Sequence, residues 1–216
     1  MTIRSKESAL VSLVILFQRT DGVAQVVFNA KALEAAMNTA VELGQVFTEA
    51  GPALLMRVPR LSVEAVIAPE KLEVNYIGAA KKSCVPDVVD TCLKILPLLP
   101  LKPAKLIGYN FVYLVDTGET AIQAIADRTH MHQALSEVVK HDVLGASLGV
   151  WLKVDERILW LRLEPRGGDQ EAKWVRVYAN FTETTDGSLP SRETLAQNLA
   201  SCHVSLQKLM KKLRLW

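Results

Sequence analysis

LPSRETLAQNLASCHVSLQKLMKKLRLW, residues 189–216, is the stretch whose reading decides the fold class. Its larger apolar residues fall at Leu195, Leu199, Cys202, Leu206, Leu209, Leu213 and Trp216, in alternating steps of four and three. That spacing puts one continuous apolar stripe along a helix starting near Ser188 or Ser191. A strict four-three alternation suits a coiled-coil seam, but Ala196, Ala200, Val204 and Met210 widen the apolar face beyond a seam. The rest of the chain must therefore supply a flat apolar surface for it. At about 1.5 Å per residue such a helix is roughly 40 Å long, against roughly 25–30 Å for the strands beneath, so its last turns are expected to overhang with Leu209, Leu213 and Trp216.

The surface comes from the segments just upstream. Residues 157–165 and 173–182 alternate apolar and polar with a period of two, the pattern of strands with two unlike faces. Leu159, Leu161 and Leu163, with Val175, Val177, Ala179 and Phe181, form one face and are the expected floor for the helix. The other face receives Trp160, Arg162 and Glu164, then Trp174, Arg176, Tyr178 and Asn180, with Trp151 and Lys153 from a strand over 146–154. Three of the four tryptophans thus lie away from the leucines.

Working back along the chain, 119–140 has the spacing of a helix and 105–115 that of a long, doubly apolar strand. Pro97, Pro100 and Pro103 force an extended connection before it, and 83–96 reads as a helix with Pro86 in its first turn. Three strands are expected at 54–58, 62–68 and 71–77, joined by turns too short for a crossover helix and so antiparallel. Asn29 can cap a helix over 30–50 facing inward with Leu33, Met37, Val41 and Phe47. Residues 9–18 and 23–28, around Asp21-Gly22, have the pattern of a hairpin.

The expected fold is therefore α+β, a mainly antiparallel sheet with helices on one face and a long C-terminal helix. Residues 1–216 are read as a single domain, with two pseudo-repeated β-α-β-β-β-α halves at 1–97 and 105–216.

Composition narrows the function. Hydrophobic residues make up 50% and charged residues 22%, as in a folded globular protein, and a net charge of +2 gives no general attraction to acidic partners. Three cysteines with no CxxC pair argue against a disulfide framework and for a reducing, cytoplasmic setting. Arg4 and Lys6 precede an apolar run, but Gln18, Arg19 and Asp21 interrupt it, so a strand is expected rather than a signal peptide. No run reaches the roughly 20 apolar residues of a membrane span, and no membrane association is expected.

The sequence contains no glycine-rich phosphate loop or HExxH pair, so neither cofactor nor metal is expected. His130 and His132 point to opposite sides of a helix; Asp127 with His130 and Glu137 with His141 are pairs lacking a third ligand. Asp116, beside Gly118 at a strand end, is the one acid in a typical site location.

The candidate partner-binding residues are Trp151, Lys153, Trp160, Arg162, Trp174, Arg176, Tyr178, Leu213 and Trp216. Aromatic rings interleaved with cations suit three roles: a dry protein interface, a stacking platform for single-stranded nucleic acid, or a surface covered by the same chain. The expected function is a non-enzymatic binding or assembly module acting through protein–protein contacts, with a protein partner or a second copy of the chain in a dimer. Nucleic-acid binding by the same Trp/Arg face is the alternative, and an enzyme without a recognisable motif the second.

Overall fold

The computed structural model describes residues 5–17, 30–48, 51–77, 84–99, 103–129, 147–166 and 173–215. Among these residues nine strands form one sheet: β1 (Ser5–Phe17), β2 (Glu42–Thr48), β3 (Gly51–Val58), β4 (Val63–Ala68), β5 (Lys71–Tyr76), β6 (Ala104–Asp116), β7 (Leu148–Val154), β8 (Arg157–Pro165) and β9 (Trp174–Thr184). Four described α-helices accompany them: α1 (Ala30–Met37), α2 (Cys84–Ile95), α3 (Ala121–Thr129) and α4 (Arg192–Lys212). The strand order is β2-β3-β4-β5-β1-β6-β9-β8-β7, and the pairs β1–β5, β2–β3, β3–β4, β4–β5 and β7–β8 are antiparallel. The chain is an α+β protein built on an antiparallel sheet.

Its contacts divide into two compact units. In the unit formed by 10–110 and 182–201, the register aligns Leu13 with Val74, Ile15 with Leu72, Val74 with Ala65 and Met56 with Ala65, all fully buried. Helix α2 packs on β5 and β4, laying Val88, Val89, Cys92 and Ile95 against that row, and α1 packs on α2. At its edge Arg192 holds Asp90 with two hydrogen bonds, Nε to Oδ1 at 2.6 Å and Nη2 to Oδ2 at 3.0 Å. Glu183 accepts from Tyr109 Oη at 2.7 Å and from Asn198 Nδ2 at 3.3 Å. A carboxylate among buried strands is thereby hydrogen-bonded rather than stranded.

In the unit formed by 1–9, 111–181 and 202–216, α3 packs against β8, whose Leu159, Leu161 and Leu163 are buried with Val175, Val177, Ala179 and Phe181 of β9. Phe111 meets Phe181 edge-on at 6.2 Å, and His203 of α4 stacks on Phe111 and Tyr113 at 5.5 and 6.0 Å. Helix α3 thus lies on the leucine face of β8, and α4 meets β6 through His203.

Four expectations change. The helix expected over 30–50 stops at Met37, where Asn38 takes a left-handed conformation (φ 52°) and donates its N–H to Ala35 O. Asparagine tolerates that conformation and closes helices with it. Leu33 and Met37 are buried as expected, but 42–48 is strand β2 and Phe47 is 83% exposed. The first half therefore has four strands after its helix, where three were expected. Finally, the C-terminal stripe does not run out into an overhang, because Met210 and Leu215 are fully buried while Leu209 and Leu213 are half-buried. A repeat of 3.5 drifts by about 20° per heptad around a 3.6-residue helix, so the buried face moves from Leu209 to Met210.

Helix α4 starts where its cap predicts: Ser191 Oγ accepts the N–H of Thr194 at 3.2 Å. The second arm of the hairpin expected near Asp21-Gly22, the later part of the helix expected over 119–140, and Trp216 lie outside the described residues. Among the described residues no helix is long and apolar enough to cross a membrane.

The stripe makes a quantitative demand. Leu206→Ala, at a fully buried position, should cost about 2–5 kcal/mol in urea unfolding, because the packed surroundings relax only partly around the cavity. Burial also pushes the Cys92 thiol from its ordinary 9.0 up to about 12. The folded chain holds this proton more tightly than the unfolded chain, so its contribution is complete below pH 9.0 and is lost as pH rises toward about 12. Urea midpoints should fall over that alkaline window, less so in Cys92→Ala, and native Cys92 should resist iodoacetamide at pH 8.

Candidate functional site

Two features build the outward face of β7, β8 and β9. The first is alternation: once Leu159, Leu161 and Leu163 turn toward α3, Ile158, Trp160, Arg162 and Glu164 must point away. The second is the tight turn at Asp155-Glu156, with Asp155 left-handed (φ 54°), which fixes the β7–β8 register. That register sets Trp151 directly opposite Trp160, Lys153 opposite Ile158 and Gly149 opposite Arg162.

The two indoles lie with ring centroids 6.0 Å apart and planes tilted by 32°, an attractive offset arrangement. Trp151 remains 70% exposed and Ile158 53% exposed, while Trp160, Trp174 and Tyr178 are half-buried. A Cβ added at Gly149 would approach Trp160 Nε1 to 4.0 Å, so the glycine leaves that indole edge open.

The charges on this face are organised around one carboxylate. Glu164 receives Arg162 Nη2 at 2.6 Å and lies 3.6 Å from Arg176 Nη1. Arg176 also donates to Tyr178 Oη at 2.9 Å, with its guanidinium 5.7 Å from the Tyr178 ring centre. Half the exposed guanidinium charge is thus met within the face itself, and the arginines are held in fixed orientations. Lys153 is exposed on the edge strand.

The seven expected residues on β7 to β9 therefore share one side of three neighbouring strands. Leu213 sits half-buried just past the end of α4, and Trp216 lies outside the described residues. The sequence reading missed Ile158 and Gly149, whose signal was their place in the same alternation. Asn180, expected on this face, keeps its Oδ1 buried without a hydrogen-bond partner among the described residues, and so do three polar groups that the sequence reading missed, Ser12 Oγ, Asn75 Oδ1 and Asn110 Oδ1 in the other unit. Ser12 and Asn75 are cross-strand neighbours. Each such oxygen costs about 1–3 kcal/mol, a cost that a hydrogen-bonding partner would relieve.

Of the candidate catalytic positions, Asp116 is the one whose side chain is described. Asp116 accepts the N–H of Gly118 at 2.9 Å, an ordinary turn contact, and the left-handed Gly118 (φ 70°) serves the same turn. His130, His132, Glu137 and His141 lie outside the described residues, as does the side chain of Asp127. Among the described residues no group of three or more His, Cys, Asp or Glu side chains is placed to hold a metal ion.

No protein-family model matches the chain. No curated protein matches it either. Among solved structures it is similar to Methanococcus jannaschii TBP, at 11% sequence identity over 97% of this chain and 98% of that one, with a TM-score of 0.29. A superposition that loose carries no argument about this chain.

The two faces of the β7–β8 pair should respond differently to truncation. Trp151→Ala should shift unfolding free energy by about 0.5 kcal/mol or less, as a surface change does. Leu161→Ala, fully packed under α3, should cost about 2–5 kcal/mol in the same urea titration. Equal losses would mean that the indole is part of the core.

Proposed function

We propose that the chain is a non-enzymatic binding module that docks a protein partner on the outward face of β7, β8 and β9. The observation that carries this reading is the exposed Trp151 resting on Trp160, with Ile158 and Lys153 beside it. Monomeric proteins seldom leave a tryptophan and an isoleucine adjacent and open to water, whereas tryptophan, tyrosine and arginine anchor interfaces. Preformed rings and ion-paired arginines lose little side-chain freedom on docking.

The Arg/Glu arrangement favours a protein over a nucleic acid. A phosphate-tracking surface needs cations free to replace counterions, and here Glu164 already serves Arg162 and Arg176. The protein reading is therefore preferred, with nucleic acid kept as an outcome of the test. A reducing, cytoplasmic setting accompanies the reading, in line with three buried free cysteines.

A two-fold internal repeat is part of the same proposal. Read outward from the centre of the strand order, β1-β5-β4-β3 and β6-β9-β8-β7 follow the same succession in chain order, with α1 and α3, then α2 and α4, at matching points. On this reading β7 to β9 are the second copy of β3 to β5, specialised by its tryptophans.

Trp160→Ala and Trp174→Ala should leave the circular dichroism spectrum unchanged and abolish retention of a specific protein partner that co-purifies with wild type. Anisotropy of a labelled single-stranded oligonucleotide should show no binding at physiological salt. Tight binding that weakens steeply with salt would replace the protein reading by the nucleic-acid one, and unfolded tryptophan variants would return the rings to the core.

A further inference from the structure

We propose that β2 is a dimerisation edge, at which two copies of this chain join by antiparallel β2–β2 pairing about a two-fold axis through Gln45. Strand β2 ends the strand order, and no described strand pairs with its outer side. Its pairing with β3 fixes which backbone groups point outward. Phe47 is opposite Pro52, which has no N–H, so that pair is of the kind that exchanges no hydrogen bonds. Alternation then makes Gln45–Leu54 and Leu43–Met56 the same kind. The N–H and C=O groups of Leu43, Gln45 and Phe47 are therefore directed to the open edge.

That edge is complementary to itself. Pairing two copies about Gln45 puts Leu43 opposite Phe47 of the second copy, Gln45 opposite Gln45, and Phe47 opposite Leu43. All three pairs are of residues whose backbone groups face outward, so each pair exchanges hydrogen bonds in both directions. The same register joins Leu43, 38% exposed, to Phe47, 83% exposed, on one face of the sheet. On the opposite face Glu42 meets Thr48, so the single charge of the strand does not confront its own copy. A shift by one residue puts backbone groups that point outward opposite groups already bonded to β3, so the symmetric register is selected by hydrogen bonding as well as by packing.

The strand also lacks what protects other edges. ELGQVFT contains no lysine and no proline, and every residue from Glu42 to Thr48 pairs one-to-one with β3, without a bulge. The partner is a second copy because the edge matches itself in backbone, apolar pairs and charge. It is distinct from the tryptophan face, which lies on β7 to β9.

Sedimentation equilibrium from about 1 µM to about 1 mM tests this, since a seven-residue edge with two apolar anchors lies at the weak end of specific interfaces. Wild type should pass from monomer to dimer within that range. Gln45→Pro removes an outward N–H without touching the β3 ladder and should remain monomeric. Gln45→Lys keeps the N–H but sets two ammonium groups on the axis, and should weaken the dimer at least ten-fold, which covers the case of a misfolded proline variant. Gln45→Cys should form an intermolecular disulfide on mild oxidation, because paired residues at the axis lie within disulfide reach and the native cysteines are buried. Trp151→Ala should dimerise as wild type. A wild type monomeric throughout, dimers that survive Gln45→Lys, or dimers lost in Trp151→Ala would each overturn the edge proposal.

Discussion

Alternation under packing is the constraint on which the rest depends. Each strand has two faces, and the face that meets a helix takes every second residue. On β8 the leucines at 159, 161 and 163 are driven under α3 at roughly 1.5–3 kcal/mol of burial each. With that settled, Trp160, Arg162 and Glu164 have only one direction left, and the β7–β8 turn brings Trp151 to the first of them. The candidate surface is a by-product of core formation in the geometric sense. Its chemistry is not, because a solvated face has no physical need of paired indoles.

Polar groups on the outward side fall into two kinds. Glu164 and Glu73 are met by arginine or lysine within their own face. Ser12, Asn75, Asn110 and Asn180 keep buried oxygens without a partner. The first kind rigidifies a surface, while the second carries a desolvation cost that a hydrogen-bonding partner offsets. Cys92 belongs to folding alone, since burial holds its thiol protonated and unreactive.

Errors in reading the sequence are as informative as the successes. Leu33, Met37, Val41 and Phe47 keep helical spacing, and nothing in that spacing distinguishes one long helix from a helix followed by a strand. Asn38 settles the matter by closing α1, and 42–48 then gains more from pairing with β3 than from continuing as helix. The outcome depends on a partner three to fifteen residues on, which periodicity along one segment cannot see. The C-terminal stripe fails more gently: its first turns are buried as spaced, and the drift between 3.5 and 3.6 residues moves the contact to Met210 and Leu215.

By itself the sequence determined the elements whose pattern is strictly local: the strand faces of β8 and β9, the turn at Asp155-Glu156, the proline in the first turn of α2, and the Ser191 cap of α4. These follow from alternation, left-handed turn residues and helix-end hydrogen bonding, each encoded within a few positions. Tertiary structure alone decided that α3 covers β8, that Glu164 holds two arginines, and that β2 ends the sheet with Phe47 in water. Those facts depend on which distant segments become neighbours, a choice made by the free energy of the whole packed sheet and written in no single stretch of it.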